Sequence, residues 1–328
     1  MQRLAALGLA CIFGVAATNT ANAQAGAGDD YPQRTVTVVC PFPPGGGTDI
    51  LTRMLAQELQ DRFKKTFIVE NRPGAGTLVA AQAVARSNPD GYTLFLAPST
   101  TLAMGPSLYK SLPYDTQKDF APIALVGSAQ FGLIANPSLG AKTLPELIAL
   151  IKSKNGQMSY ATSGAGTPHH LFMEMLLKMI GGKAQQVPYR GSVAGLTDVI
   201  SGQIPMMMVD IVVARSAIAE GKVIIYGVTS AARIKAMPDL PTIAEAGLPG
   251  FAATGWFSMV APAGTPRPII DKINDVLVSF LRKPETQDKL NGIAITPLTS
   301  TPEQMQQFVA AEIKKWAQVI KDAGIQPQ

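Results

Sequence analysis

The run Arg34-Thr35-Val36-Thr37-Val38-Val39-Cys40-Pro41-Phe42-Pro43-Pro44-Gly45-Gly46-Gly47-Thr48-Asp49 changes character twice. Residues 34–40 alternate β-branched side chains, 41–47 hold only proline, glycine and one phenylalanine, and from 48 to 63 apolar residues return at helical spacing. The pattern predicts a strand, a glycine-rich turn and a helix, the unit from which α/β sheets are built. Three consecutive glycines let backbone approach a ligand closely, and the helix that follows offers unpaired N–H groups at the positive end of its dipole. Phe42, Gly45, Gly46, Gly47 and Thr48 are therefore candidate anion-binding residues. The same residues also suit a tight turn with Thr48 as the helix cap, and the spacing alone does not separate the two readings. Asp49 and Arg53 stand four apart on one helical face and are expected to pair structurally rather than to touch a ligand.

Working outward, a strand is expected at 67–69, an alanine-rich helix at 77–85 and a strand at 93–97, giving repeated βα units and a mostly parallel sheet. The pattern restarts in the long apolar run 123–134 and returns through a second apolar stretch at 255–262. Between them lie a helix opened by the capping box Thr143-Leu144-Pro145-Glu146 and strands at 158–161, 204–209 and 223–228, and a last helix follows a second capping box, Thr301-Pro302-Glu303-Gln304. Met206, Met207 and Met208 fall in a strand-like run and read as core. Two crossings imply a discontinuous first domain, 31–127 with 256–328, and a second domain, 128–255. Ligands of open α/β sheets sit beyond the carboxyl ends of the strands, so the cleft between such lobes is where function is sought.

The chain begins with one charge, Arg3, an uncharged stretch from 4 to 17, and Ala21-Asn22-Ala23 before Gln24. This is the pattern of a secretory signal peptide over 1–23, cleaved after Ala23, with a small polar lead-in at 24–30. Cys11 leaves with it and Cys40 remains, so no internal disulfide is expected. The 328 residues are 47% hydrophobic and 16% charged with a formal net charge of +5, and no lysine or arginine run concentrates that charge. A nucleic-acid face is disfavoured and a soluble, monomeric periplasmic protein is expected.

A second strand-to-helix turn, Ser163-Gly164-Ala165-Gly166-Thr167-Pro168-His169-His170, repeats the anion-site logic with Thr167 suited to the cap and Pro168 to the first helical position. Ser163, Gly164, Gly166, Thr167 and His169 join the candidates, and the nearby Tyr189 and Arg190 offer a phenol and a guanidinium suited to a carboxylate. Two anion sites facing each other suggest a dicarboxylate or an amino-acid-like ligand. A micromolar ligand needs about 8 kcal/mol and one helix terminus supplies ~0.3–2 kcal/mol, so several hydrogen bonds per carboxylate are expected. His169 and His170 are the only histidines; neighbouring helical positions diverge by about 100° and no Cys/His spacing exists, so no metal site is expected. No complete dinucleotide fingerprint, Walker sequence or Gly-x-Ser-x-Gly elbow is present, so no cofactor and no enzymatic activity are expected. A hydrolase using Ser163 and the histidines stays as the alternative from another class.

Read together, the signal peptide, the Pro41–Asp49 run with Arg53, Asn71-Arg72-Pro73-Gly74-Ala75-Gly76, Gly91-Tyr92-Thr93-Leu94, Gly164-Ala165-Gly166-Thr167-Pro168-His169-His170-Leu171, Pro188-Tyr189-Arg190-Gly191, Gly202-Gln203-Ile204 leading to Asp210, and Ala263-Gly264-Thr265-Pro266 resemble the extracytoplasmic solute receptors of tripartite tricarboxylate transporters, the Bug family. The resemblance implies a periplasmic-binding-protein fold of the second topological type, with two lobes, two crossover segments and a ligand cleft between them. It implies a small carboxylate, mono- or dicarboxylate, aliphatic or aromatic, as ligand, and two membrane permease subunits as partners; a sensor subunit that presents its ligand to a membrane kinase is a separate alternative. It adds Ser99 and Thr100 in one cleft loop, and Asp210, to the candidate ligand-binding residues.

Overall fold

The computed structural model describes residues 30–74, 77–235 and 237–327. The expected signal peptide, and all of the lead-in but its last residue, lie outside them. Strand β1 (Val36–Cys40) hands the chain through the glycine turn to helix α1 (Gly47–Phe63). Strand β2 (Phe67–Asn71), helix α2 (Leu78–Ala85) and strand β3 (Thr93–Pro98) follow, with β1 hydrogen-bonded in parallel between β2 and β3. The chain then makes a π-helical turn, Thr100–Met104, that runs into the short helix α3, Gly105–Leu108.

The apolar run expected as one crossing divides at a single residue. Strand β4 (Phe120–Ala129) belongs to the first sheet, β5 (Phe131–Ala135) to the second, and only Gln130 stands between them. The second sheet is completed by α4 (Leu144–Lys154), β6 (Ser159–Thr162), α5 (Pro168–Ile180), β7 (Gln185–Pro188), α6 (Ser192–Ser201), β8 (Met206–Asp210), α7 (Ile211–Ala219) and β9 (Ile224–Val228). The chain returns as β10 (Gly255–Pro262), followed by α8 (Arg267–Leu281), α9 (Pro284–Gly292), β11 (Ile295–Thr296) and α10 (Pro302–Asp322). Strand order is β11-β4-β10-β3-β1-β2 in one sheet and β7-β6-β8-β5-β9 in the other.

Neither sheet is mostly parallel, contrary to the sequence expectation. The strand that passes straight from one sheet into the other, β5, is antiparallel to β8 and β9, and β10, which returns the chain to the first sheet, is antiparallel to β3 and β4. Parallel pairing survives only where a helix returns the chain, as between β6, β7 and β8. The methionines of β8 alternate across the second sheet, Met206 and Met208 packing into one core and Met207 into the other, all fully buried.

The largest core does not stop at the boundary between sheets. It joins Phe95 and Phe120 of the first to Phe131, Tyr160 and Phe172 of the second through Trp256 and Trp316. Helix α10 makes the join: Trp316 stacks on Phe172 of α5 at 5.5 Å between ring centres, and Trp256 meets Phe308 edge-on. Both indoles donate their N–H to the same oxygen, Glu312 Oε2, at 3.0 Å from Trp256 and 2.9 Å from Trp316. A carboxylate is affordable in this core because two donors and Lys315 answer it.

Candidate functional site

The turn between β1 and α1 is held from behind by one carboxylate. Asp49 Oδ2 accepts from the Gly45 backbone N–H at 2.9 Å and from Arg53 Nε at 3.0 Å, and Oδ1 accepts from Asn71 Nδ2 at 2.9 Å. Asn71 reaches from the end of β2 and donates also to the Phe42 carbonyl, so one amide ties both ends of the turn. Burial pushes the Asp49 carboxyl up, but the hydrogen bonds from Arg53, Gly45 and Asn71 outweigh it and hold the group below its ordinary value. Gly45 takes φ +88°, a conformation open to glycine. The helix cap is Gly46, not Thr48, and no side chain caps α1, so the N–H groups of its first turn face the cleft uncapped.

The turn before α5 reaches the same outcome with imidazoles. His170 Nδ1 accepts the Gly166 backbone N–H at 3.1 Å, its ring stacks on Tyr160, and Tyr160 in turn donates to Glu174. Burial lowers the His170 pKa to about 4, so it is a neutral acceptor near neutral pH. Thr167 occupies the cap position, yet its hydroxyl donates back to the Gly164 carbonyl at 2.7 Å and leaves α5 uncapped. His169 lies 2.8 Å from Ser163 Oγ through Nδ1 and 2.8 Å from Asp210 Oδ2 through Nε2. Burial pushes the Asp210 carboxyl up, but the charge and hydrogen bond of His169, with a hydrogen bond from Ser192, bring it below its ordinary value. An ionised Asp210 only accepts, so Nε2 of His169 carries the proton between them.

The two turns face one cavity of about 610 Å³, which lies between the sheets. Of the residues read from the sequence, Phe42, Gly46, Gly47, Thr48, Ser99, Thr100, Ser163, Gly166, Thr167, His169 and Asp210 line it. Gly45 and Gly164 stand one place behind the wall as the hinges of their turns. Tyr189 and Arg190 do not reach it: the Tyr189 phenol is spent on Asp198 at 2.6 Å, and Arg190 is exposed outside the lining. Two helix starts escaped the sequence reading. Helix α6 begins at Ser192 and α7 follows Asp210, both without a side-chain cap, and Ser192, Val212 and Val213 line the cavity. The aromatic floor was also missed, because Phe131, Trp256 and Phe257 sit in runs that read as buried strand.

Two lobes, each offering helix starts to a shared cavity, with crossing strands between them, form the architecture of a solute-binding protein. Residues 51–325 match the family model described as tripartite tricarboxylate transporter family receptor. Protein BugT of Bordetella pertussis is 35% identical over 297 residues, 90% of this chain and 91% of that one. Among solved structures, an R. palustris protein with adipate, Rpa4515, superposes with a TM-score of 0.81 at 33% identity, covering 91% of this chain and all of that one. MatC from Rhodopseudomonas palustris with bound malate gives 0.75 at 33% identity over 88% of this chain and 100% of that one. The chain belongs to the tripartite tricarboxylate transporter receptor family, of TctC and Bug type, whose members are periplasmic receptors and not enzymes. The Ser163–His169–Asp210 array has the residue types of a hydrolase triad, but in a receptor it fixes the imidazole and the cavity wall, and the hydrolase alternative falls.

Proposed function

We propose that this receptor captures a small carboxylate in the periplasm and delivers it to the membrane subunits of a tripartite transporter. The observation that carries the reading is the convergence of uncapped helix starts from both sheets, α1 from one and α5, α6 and α7 from the other, on one cavity. Donors of this kind suit a carboxylate and supply the several hydrogen bonds that micromolar affinity needs. The relatives solved with adipate and malate are in keeping with it.

The two lobes, expected at 31–127 with 256–328 and at 128–255, meet slightly off those bounds, since β4 reaches Ala129 and β10 starts at Gly255 in the first sheet. They close on the ligand by rotation about the crossings at Gln130 and before Gly255. The receptor acts as a monomer, exported by the leader removed after Ala23. The residues that hold the carboxylate are the first-turn backbones of α1 and α5 with Ser99 and Thr100, while Ser163 and His169 shape the wall through their own hydrogen bonds. Calorimetric titration with mono- and dicarboxylates, aliphatic and aromatic, tests the reading. Binding of at least one is the expected result, and silence toward every carboxylate overturns it.

A further inference from the structure

Resting on the receptor reading above, we infer that the turn after α10 supplies part of the wall of the ligand cavity, and that Gln326 on this turn holds a second polar end of the ligand. The turn has a defined local cause. Gly324 takes φ +68°, the Ile325 N–H donates to the Ile320 carbonyl at 3.1 Å, and the Gly324 N–H donates to the Lys321 carbonyl at 3.1 Å. These two bonds form a Schellman motif, which ends a helix, turns the chain aside and commonly lays the apolar residue after the glycine back on the last helical turn. Ile325 fills that place, packed against the same core that holds Ile320. The helix behind the turn is itself anchored in both sheets, through Trp316 stacked on Phe172 and through Glu312 between the two indoles. Ile325 and Gln326 both line the cavity.

The two residues differ in what they have left to offer. Ile325 is engaged by the core. Gln326 is exposed, and its amide makes one long local bond, from Nε2 to the Gly324 carbonyl two residues back at 3.3 Å. Other polar side chains of the wall are committed within the protein: Thr77 to Thr101, Ser163 to His169, and Thr167 to the Gly164 carbonyl. Among the described residues lining the cavity there is no lysine or arginine, so a second polar group on the ligand finds no cation there. A glutamine answers it in another way. Its amide donates to a carboxylate or accepts from a hydroxyl, and the bond to Gly324 is easily exchanged for one to a ligand. The helix starts take the first carboxylate; Gln326 reaches the cavity from a different part of the chain and addresses another part of the ligand. A volume of about 610 Å³ leaves room for a molecule that meets both.

Isothermal titration of the purified protein with succinate, adipate and suberate, each against the monocarboxylate of equal length, butanoate, hexanoate and octanoate, isolates the second polar end. Gln326→Leu should weaken the tightest-bound dicarboxylate roughly fivefold or more, as the loss of one hydrogen bond to a charged group at a wet site implies, and its monocarboxylate partner less than about twofold. The melting temperature should not move, because the side chain is exposed. Gln326→Glu, equal in size but anionic, should weaken the dicarboxylate further than leucine does. A dicarboxylate unaffected by either replacement, or a dicarboxylate and its partner weakened alike, overturns the inference and leaves the receptor reading intact. So does a wild-type protein that binds monocarboxylates but no dicarboxylate of the series. Silence toward every carboxylate overturns both.

Discussion

In the first lobe the turn before α1 is tied by a carboxylate that gathers Gly45, Arg53 and Asn71; in the second the turn before α5 is tied by a neutral imidazole that accepts from Gly166. Both leave a helix start uncapped toward the same cavity. The first support is an ion pair at the surface edge, with Arg53 half exposed, and it keeps its charge state across the neutral range. The second is buried with Tyr160 and Glu174 and depends on a ring remaining unprotonated. The same ligand-facing geometry therefore carries two different sensitivities, one to the loss of a partner and one to acid.

The comparison breaks most visibly at the glycines. A side chain at Gly46 meets nothing within 4 Å, so Gly46→Val should place its methyls in the cavity, leave the melting temperature unchanged and weaken ligand binding by at least ~100-fold, about 2.7 kcal/mol. Gly166→Val is not equivalent. Gly166 has φ +73° and its added carbon would lie 2.9 Å from Leu108 of α3, across the cleft. That variant should lose binding and also about 1–3 kcal/mol of stability. Equal melting temperatures for the two variants would remove the distinction.

Acid separates the supports next. A His170 pKa lowered to about 4 in the folded protein means that the unfolded chain, titrating near 6.5, takes up a proton the native ring refuses. Stability contributed at neutral pH is thus lost as pH falls from about 6.5 toward 4, by up to about 3 kcal/mol. Glu174, whose carboxyl burial raises, works in the opposite direction as it gains its proton. His170→Gln should flatten this limb of the stability profile in urea melts at stepped pH, and an unaltered slope would show that His170 is not its source. Asp210, with its lowered pKa, adds a loss only below about pH 4.

At fixed pH, Asp49→Ala should cost about 2 kcal/mol, because the Gly45 N–H and one Asn71 hydrogen lose their acceptor while exposed Arg53 returns to water. Ligand affinity should fall with it, since the first turn is no longer held. Thr167→Val is the mildest test. It deletes only the hydroxyl that donates to Gly164, and should lower stability by about 1 kcal/mol, read from the denaturation midpoint.

Much of this architecture was legible before any coordinates. Glycine clusters after β-branched runs, and the two capping boxes at Thr143 and Thr301, are local signals with local causes, and both boxes form in the structure. Helices α6 and α7 were not legible as site elements, because Gly191 and Asp210 serve as ordinary helix starts until the sheet aligns them with α1. Phe131 and Trp256 satisfy a core pattern and a cavity wall at once, and hydrophobicity alone cannot tell which side of a ring faces a ligand. Tyr189 and Arg190 carry the right chemistry for a carboxylate, yet Asp198, nine residues along on α6, takes the phenol. The antiparallel sense of β5 depends on the length of the link between sheets, one residue at Gln130, which no periodicity reveals.

The shared acceptor of the two indoles gives the molecule an optical consequence. Trp256 and Trp316 are the only tryptophans in the chain, one forming part of the cavity wall and the other pressed on Phe172 from the opposite sheet. Tryptophan emission from this protein therefore arises entirely at the seam. Because Trp256 lines the cavity and shares Glu312 with Trp316, ligand arrival is expected to alter Trp256 emission first and Trp316 emission through that carboxylate. Replacing each indole in turn by phenylalanine divides the emission between the cavity wall and the stacked ring, with no dye attached.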